Sequence, residues 1–189
     1  MDFKKHLVQS WELTLRFIVP LVLMTLVMLV VSFLTLGILA PVTMAGYMQS
    51  VLRVVREGRE PQIGDLFSFM RLFFPLLIFG ILAFLAIIIG FMLLVLPGLA
   101  LSLLLAFGAM YMLPLMTDKG MGLVDALKES FRMAFKENVG EHLVVVLIFW
   151  VIQIIGGSIA VGALFTTPIA TLFLMSVFEE RTAGTPTTL

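Results

Sequence analysis

The chain has 189 residues, of which 61% are hydrophobic and only 13% are charged. A water-soluble domain usually carries about 25% charged residues, so this composition excludes an ordinary soluble domain and predicts a lipid-facing exterior. The formal net charge is zero and cysteine is absent. These two features argue against a nucleic-acid-binding surface and exclude disulfides, thiolate metal sites and cysteine nucleophiles.

The first apolar segment is expected to stay in the protein as a membrane span. It runs from Phe17 to Leu39, which is longer than the apolar core of about 7–15 residues in a signal peptide. The one small residue near its end, Ala40, is followed directly by Pro41, a poor residue after a cleavage site. We therefore interpret this segment as a first span.

Three long apolar stretches, residues 17–52, 72–116 and 143–178, make up most of the chain. Glycine and proline interrupt each stretch near its middle, and they end or bend helices because glycine lacks side-chain restraint and proline lacks the backbone N–H. Each stretch therefore predicts a helical hairpin with a short turn. The predicted helix breaks are Gly37, Pro97, Gly98 and Gly162.

The similar lengths of the hairpins predict an internal repeat. From the break glycine to the glycine that ends each hairpin the interval is 21, 22 and 22 residues, for Gly37 to Gly58, Gly98 to Gly120 and Gly162 to Gly184. A short amphipathic segment precedes each hairpin, which gives repeat units of about 2–58, 65–120 and 125–184. A fixed period is the signature of repeat architecture. The predicted fold is an all-α polytopic membrane helix bundle of three hairpins in a pseudo-threefold repeat, with interfacial amphipathic helices.

The distribution of charge predicts one domain with a defined orientation. All acidic and basic residues lie outside the three apolar stretches, and the hairpin turns carry none. By the positive-inside rule the charged side is cytoplasmic, which places both termini inside and the protein in the inner membrane. Residues 1–181 form the single transmembrane domain, and the polar residues 182–189 predict a disordered tail.

No catalytic, cofactor-binding or metal site is predicted. The apolar stretches contain no Asp, Glu, Lys, Arg or His, and proton-coupled transport usually needs such groups at membrane depth. His6 and His142 have no partner at the spacing of metal ligands, and no serine has a base nearby in the sequence. An enzyme is therefore not expected.

Two segments have the pattern of interfacial helices. After Gly122, apolar residues recur on one helical face while Lys128, Arg132 and Lys136 recur every four residues on a neighbouring face. Apolar groups in the acyl boundary beside cations near lipid phosphates are typical of interfacial helices. The N-terminal segment has the same character, although both segments could also be plain connectors. The candidate lipid-headgroup contacts are Lys4, Lys5, Lys128, Arg132 and Lys136.

The last hairpin is the most polar one inside the predicted membrane region. We expect its polar side chains to form interhelical hydrogen bonds, and a role in lining a substrate path is the alternative. This candidate intramembrane polar cluster comprises Gln153, Thr166, Thr167 and Thr171.

The sequence also resembles small six-helix membrane families of bacteria and archaea. The resemblance is carried by residues 46–53 (GYMQSVLR), 56–61 (REGREP), 65–67 (DLF) and the segment from Asp125 to Phe131. These families include the YciC-like proteins and the membrane domain attached to some glycerophosphodiester phosphodiesterases. The resemblance implies a multi-pass inner-membrane protein and no assigned activity, because the phosphodiesterase catalytic barrel is absent.

Three functional hypotheses follow from the sequence. The first is a membrane scaffold or accessory subunit without a catalytic site, and the second is a lipid-interacting or membrane-shaping protein. The third is a small carrier or channel for an uncharged solute, which would need a polar path through the bundle. The expected partners are membrane lipids and, as a further candidate, another membrane protein, with no nucleic acid.

Overall fold

The computed structural model describes residues 2–158 and 161–183. These residues form helices joined by short connections, and the described part of the chain contains no strand. Two 3₁₀ turns, Ile63–Phe67 and Met70–Leu72, precede α4, and a π-helical turn, Met133–Glu137, follows α7. The helices are α1 (Phe3–Arg16), α2 (Ile18–Leu34), α3 (Ala40–Glu57), α4 (Phe73–Leu93), α5 (Val95–Gly108), α6 (Met112–Asp118), α7 (Leu123–Arg132), α8 (Val139–Gly157) and α9 (Ala163–Thr182).

Four helical segments are long and apolar enough to cross a membrane: 63–93, 95–118, 139–157 and 163–182. A fifth is possible if α1 and α2, which meet at an angle of 89°, form one broken span. The remaining predicted span, α3, contains Arg53, Arg56 and Glu57. The chain is therefore an all-helical protein with the helices of a membrane protein, and fewer helices than the predicted six meet both criteria.

Two of the predicted helix breaks lie at turns between helices, and the third lies a few residues away from its predicted position. Gly37 has a φ of 82° and lies in the turn between α2 and α3, and Gly162 directly precedes α9. The second break lies earlier than predicted, at Leu94, whose backbone is extended. Pro97 and Gly98 lie in the first turn of α5, where the missing N–H of proline costs no helical hydrogen bond.

The predicted tail lies mostly beyond the residues that the structure describes. Thr182 is the last residue of α9 and Ala183 follows it. Residues 184–189, together with the predicted end of the third repeat unit at Gly184, lie outside the described residues.

The hydrophobic core lies at one end of the molecule, where α3, α6 and α9 end. These three helices, here called the exit helices, lead out of the three apolar stretches toward the charged connections. Their largest fully buried side chains include Tyr47, Phe173 and Phe178. By contrast, between Leu76 and Gly108 the only buried residues are glycines, at 90 and 98. The exit helices therefore pack as a core, while the α4–α5 hairpin between these positions is largely exposed.

Arg56 joins the three exit helices at their charged ends. Its guanidinium donates from Nη2 to Asp118 Oδ2 at 2.9 Å and from Nε to Glu179. The Asp118 side chain is only 8% exposed, so its charge depends on this partner for stabilisation. A single cation thus fixes the ends of α3, α6 and α9 relative to one another.

Each exit helix also packs against a surface segment from elsewhere in the chain. The Ile63–Phe67 turn lies on α3, α7 lies on α6, and α1 lies on α9. A hydroxyl group forms a hydrogen bond beside each of these contacts. Ser50 Oγ donates to Asp65 Oδ2 at 2.7 Å, Ser130 Oγ donates to Gly108 O at the end of α5 at 2.6 Å, and Ser176 Oγ and His6 Nδ1 are 2.6 Å apart.

Two close approaches between helix and segment depend on glycine. A Cβ atom at Gly46 would lie 2.4 Å from the carbonyl oxygen of Asp65, and one at Gly108 would lie 2.5 Å from the ring of Phe131. Any larger residue would push the 3₁₀ turn away from α3 at Gly46, or α7 away from the end of α5 at Gly108. Gly46 and Gly108 therefore allow the 3₁₀ turn and α7 to pack closely against α3 and the end of α5.

The helix formed by α5 and α6 is interrupted at residues 109–111. Pro114 lies in the first turn of α6. It has no N–H to continue the hydrogen bonds of α5 across the interruption, and its fixed φ suits the start of a new helix. Inside a membrane the freed backbone groups need partners from the protein, because lipid cannot supply them.

Side chains from α7 and α8 provide those partners. The Ser130 hydroxyl donates to Gly108 O at 2.6 Å and accepts from the backbone N–H of Tyr111 at 3.1 Å. The His142 ring donates from Nε2 to Phe107 O at 2.8 Å. Both residues therefore have a structural role at the interruption, where they replace the missing helical hydrogen bonds.

We predict that the three hairpin turns face the side opposite to the charged connections. Because the chain lacks cysteine, Ile38→Cys, Leu94→Cys and Val161→Cys introduce single reporters at the turns, with Glu60→Cys as the control on the charged side. A membrane-impermeant maleimide should label the turns in intact cells and Glu60→Cys only after permeabilisation. Turns that react only with a membrane-permeant maleimide would instead lie within the bilayer.

We predict that Arg56→Ala destabilises the protein by about 2 kcal/mol, because it leaves the nearly buried Asp118 carboxylate without its main partner. In a chain of this size that corresponds to a decrease of roughly 4–8 °C in Tm, measured in nanodiscs. The control is Arg71→Ala, which removes an exposed arginine on the same side and should leave Tm unchanged. Equal effects of the two variants would contradict the role assigned to Arg56.

Candidate functional site

A buried polar cluster connects α1 to α9. His6, only 3% exposed, lies 2.6 Å from Ser176 Oγ through Nδ1 and 2.7 Å from Glu180 Oε2 through Nε2. The Ser176 hydroxyl also donates to Gln9 Oε1 at 3.0 Å. A serine, a histidine and a carboxylate in this order are the groups of a nucleophilic triad, but here Ser176 is only 4% exposed and its hydroxyl lies between α1 and α9. The cluster therefore serves to hold α1 on α9.

An open cleft of about 900 Å³ lies along α7 and the π-helical turn after it. Its wall combines apolar side chains with charges of both signs. The lining residues are Met121, Asp125, Leu127, Lys128, Glu129, Phe131, Arg132, Phe135 and Lys136.

The local sequence explains why α7 presents this surface. Asp125 lies in the first turn and Arg132 in the last turn, so both charges favour the helix dipole. Ala126 and Ser130, four residues apart, are buried and fix the inner face of α7 against the break between α5 and α6. The charged residues are consequently turned outward into the cleft.

Aromatic contacts fix the apolar wall of the cleft. The rings of Phe131 and Phe135 stack with their centroids 5.8 Å apart, and the Phe135 ring lies 5.1 Å from that of Phe107 on α5. Phe135 is still 43% exposed. The cleft therefore offers an ordered apolar surface to whatever occupies it.

One of the three predicted cations in this segment already has a partner. Arg132 donates from Nε to Glu129 Oε2 at 2.8 Å and from Nη2 to Glu129 Oε1. The bond from Arg132 lowers the pKa of the Glu129 carboxyl below its ordinary value. Since these two charges largely satisfy each other, Lys128 and Lys136 are the cations of the cleft that are left for a ligand.

The remaining predicted headgroup contacts lie elsewhere. Lys4 and Lys5 are exposed on α1 and do not line the cleft. On this helix the polar residues His6, Ser10 and Thr14 are buried, while its apolar residues Leu7, Val8, Trp11 and Leu15 are exposed. The sequence pattern placed the five cations on two segments, and the structure brings only those of the second segment into one cleft.

The predicted intramembrane polar cluster contains no hydrogen bond between its members in the described part of the chain. Thr166 donates to Gly162 O of its own helix at 3.1 Å. Thr171 is fully buried and its hydroxyl has no partner among the described atoms, whereas Gln153 is half-buried. These four residues are therefore spread along α8 and α9.

The roles of several polar residues were not predicted from the sequence. Ser130 and His142 form hydrogen bonds to the break between α5 and α6 although they lie on other helices, and Asp125 lines the cleft beside the predicted cations. Only Pro114, a proline within an apolar stretch, was a signal that a backbone break and its partners should be sought.

Comparison of the chain with protein-family models, curated proteins and solved structures gives no match. The resemblance to the six-helix membrane families therefore stays a prediction.

We predict that Arg132→Gln raises the pKa of Glu129 toward its ordinary value of 4.5, measured by carboxyl ¹³C NMR of labelled glutamate. Because the pKa is lowered in the folded protein, the ion pair stabilises it above the ordinary pKa, and this stability is lost as the pH falls through the lowered value. The loss at neutral pH should be small, about 0.3–0.5 kcal/mol. Lys128→Gln serves as the control and should change the Glu129 titration less.

Proposed function

We propose that this protein is a non-enzymatic, multi-pass protein of the cytoplasmic membrane that binds phospholipid in the cleft along α7. The observation that carries the proposal is the composition of the cleft wall. Lys128 and Lys136 lie beside Leu127, Phe131 and Phe135, which pairs cations for a phosphate with an apolar surface for an acyl chain.

The orientation of α1 supports the proposal that the charged end of the protein lies at the membrane interface. This helix turns by 89° from the direction of α2, so that it runs along the interface if α2 crosses the membrane. Its exposed apolar side includes Trp11, which is 54% exposed, and indole rings favour the headgroup level of a bilayer. By the positive-inside argument this interface is the cytoplasmic one, with both termini inside.

The packing supports a pseudo-threefold arrangement of three hairpins. Each exit helix carries a surface segment on its flank, and the segment on α9 is the N-terminal helix α1, so the series of contacts closes on itself. In this arrangement α2 and α3 form the first hairpin. With 17 and 18 residues, they measure about 26 and 27 Å, which is slightly less than a hydrocarbon core of about 30 Å.

A scaffold or accessory subunit is the second candidate function. It is favoured by the α4–α5 hairpin, on which Ile81, Leu82, Phe84, Leu85 and Ile89 are all about half exposed or more. A hairpin that lies apart from the core can contact another membrane protein as well as lipid. A solute carrier is less favoured, because the described core between the exit helices is filled by large apolar and aromatic side chains.

We predict that the double variant Lys128→Gln/Lys136→Gln loses phospholipid that stays bound to the wild type in mild detergent, as measured by native mass spectrometry. Each lysine near a phosphate contributes about 1 kcal/mol, so the double variant should retain roughly tenfold to thirtyfold less lipid.

The matched control is Lys4→Gln/Lys5→Gln, which removes two exposed lysines from the other amphipathic helix. It should retain as much phospholipid as the wild type. Equal retention by all three proteins would contradict the proposed function, and equal losses in the two variants would mean that lipid binding is a property of net charge and not of the cleft.

A further inference from the structure

We propose that the cleft along α7 selects a zwitterionic phospholipid with a primary ammonium group, whose ammonium binds Asp125 and whose phosphate binds Lys128 and Lys136. This inference rests on the proposed function, since it names the class of lipid for the same cleft. The inference depends on the Asp125 carboxylate in the cleft wall. A site for purely anionic lipid does not require a carboxylate.

The charges in the cleft fall into a satisfied pair and an unsatisfied set. Glu129 and Arg132 form the pair. Among the side chains that the structure describes, no ion pair within 4.0 Å involves Asp125, Lys128 or Lys136. The charges left for a ligand are therefore one carboxylate and two ammonium groups, which is the complement of a headgroup that carries one cation and a phosphate.

The spacing of these residues suits such a headgroup. Asp125 and Lys128 are three residues apart, so they lie on the same side of α7 about one turn, or roughly 5 Å, from each other. In an ethanolamine headgroup two carbons and an oxygen separate the ammonium from the phosphorus, which is a comparable span. Lys136 lies in the π-helical turn after α7 and lines the same cleft, so its long, flexible side chain brings a second ammonium to the phosphate.

The apolar wall gives the bound lipid its direction. Leu127, Phe131 and Phe135 lie in the same cleft and provide a surface for the first part of an acyl chain. Phe131 and Phe135 stack on each other with an interplanar angle of 22°, so they do not form the box of aromatic faces that binds a quaternary ammonium. A choline headgroup also has no N–H to donate to Asp125 and is expected to bind less well.

The other common class, an anionic glycerol headgroup, leaves Asp125 without a cation. Its phosphate would satisfy the two lysines, but its hydroxyls would face a carboxylate that the lipid partly shields from water. An ammonium group replaces this weak contact with a charge-assisted hydrogen bond. In this proposal Asp125 determines which headgroup is preferred, whereas Lys128 and Lys136 determine the affinity for phospholipid in general.

The test uses the full chain in nanodiscs with equal amounts of phosphatidylethanolamine, phosphatidylglycerol and phosphatidylcholine of identical acyl chains. After transfer to mild detergent, native mass spectrometry measures which lipids stay bound. We expect the wild type to enrich phosphatidylethanolamine about fivefold over the other two, the upper end of what one exposed ion pair supplies. Asp125→Asn should abolish this preference and leave the total amount of bound phospholipid unchanged.

Two further variants make the result interpretable. Asp125→Glu keeps the carboxylate and should keep the preference, which separates a loss of charge from a loss of folding. Glu12→Gln removes an exposed acidic residue from α1 and should behave as the wild type.

The outcomes separate this inference from the function on which it rests. Preferential retention of phosphatidylglycerol, equal retention of phosphatidylcholine, or an unchanged preference in Asp125→Asn would each overturn the headgroup assignment. In those cases a loss of lipid in Lys128→Gln/Lys136→Gln would still support a phospholipid site. If the wild type and the lysine variant retain equal lipid, the proposed function itself fails.

Discussion

The contact of Arg56 with Asp118 and Glu179 holds together the three helices around which the rest of the protein is built. The guanidinium can serve two carboxylates at once because its donors point in several fixed directions. Once the ends of α3, α6 and α9 are joined, their flanks form the positions on which the surface segments pack. The seating of α1, the 3₁₀ turn and α7 thus depends on an arrangement that one side chain stabilises.

The division between a packed end and a loosely packed end follows from the different solvents at the two ends. At the charged end, polar groups are brought together and must be satisfied by each other, so hydrogen bonds and ion pairs accompany the apolar core. Farther along the hairpins the side chains are almost all aliphatic or aromatic. Lipid is as apolar as these side chains, so no hydrophobic driving force brings the hairpins together there.

The break between α5 and α6 links this architecture to the proposed lipid-binding cleft. Ser130 is held by backbone groups that the interruption at residues 109–111 leaves without helical partners, and the Phe131 ring lies against Gly108. These two contacts set the rotation of α7 about its axis. The rotation turns Lys128 and Asp125 into the cleft, so the helix break determines where the proposed headgroup contacts lie.

Most of the local structure of this chain could be predicted from its sequence. Composition alone indicated a helical membrane protein, and Gly37 and Gly162 lie where helices are interrupted. The period of Lys128, Arg132 and Lys136 predicted an amphipathic helix, which the structure ends at Arg132 with Lys136 in the π-helical turn that follows. The break predicted at Pro97 lies instead at Leu94. A proline in the first turn of a helix is tolerated there, whereas a proline in the interior of a helix ends or kinks it.

Only the tertiary structure decided which polar groups meet. The sequence gives the period of a helix and the sign of each charge, because both are local properties. It does not give the distance between Arg56 and Glu179, the closure of α1 onto α9, or the pairing that removes Arg132 from the set of cations left for a ligand. These contacts depend on how separate helices are oriented, and orientation is set by long-range packing that no local pattern records.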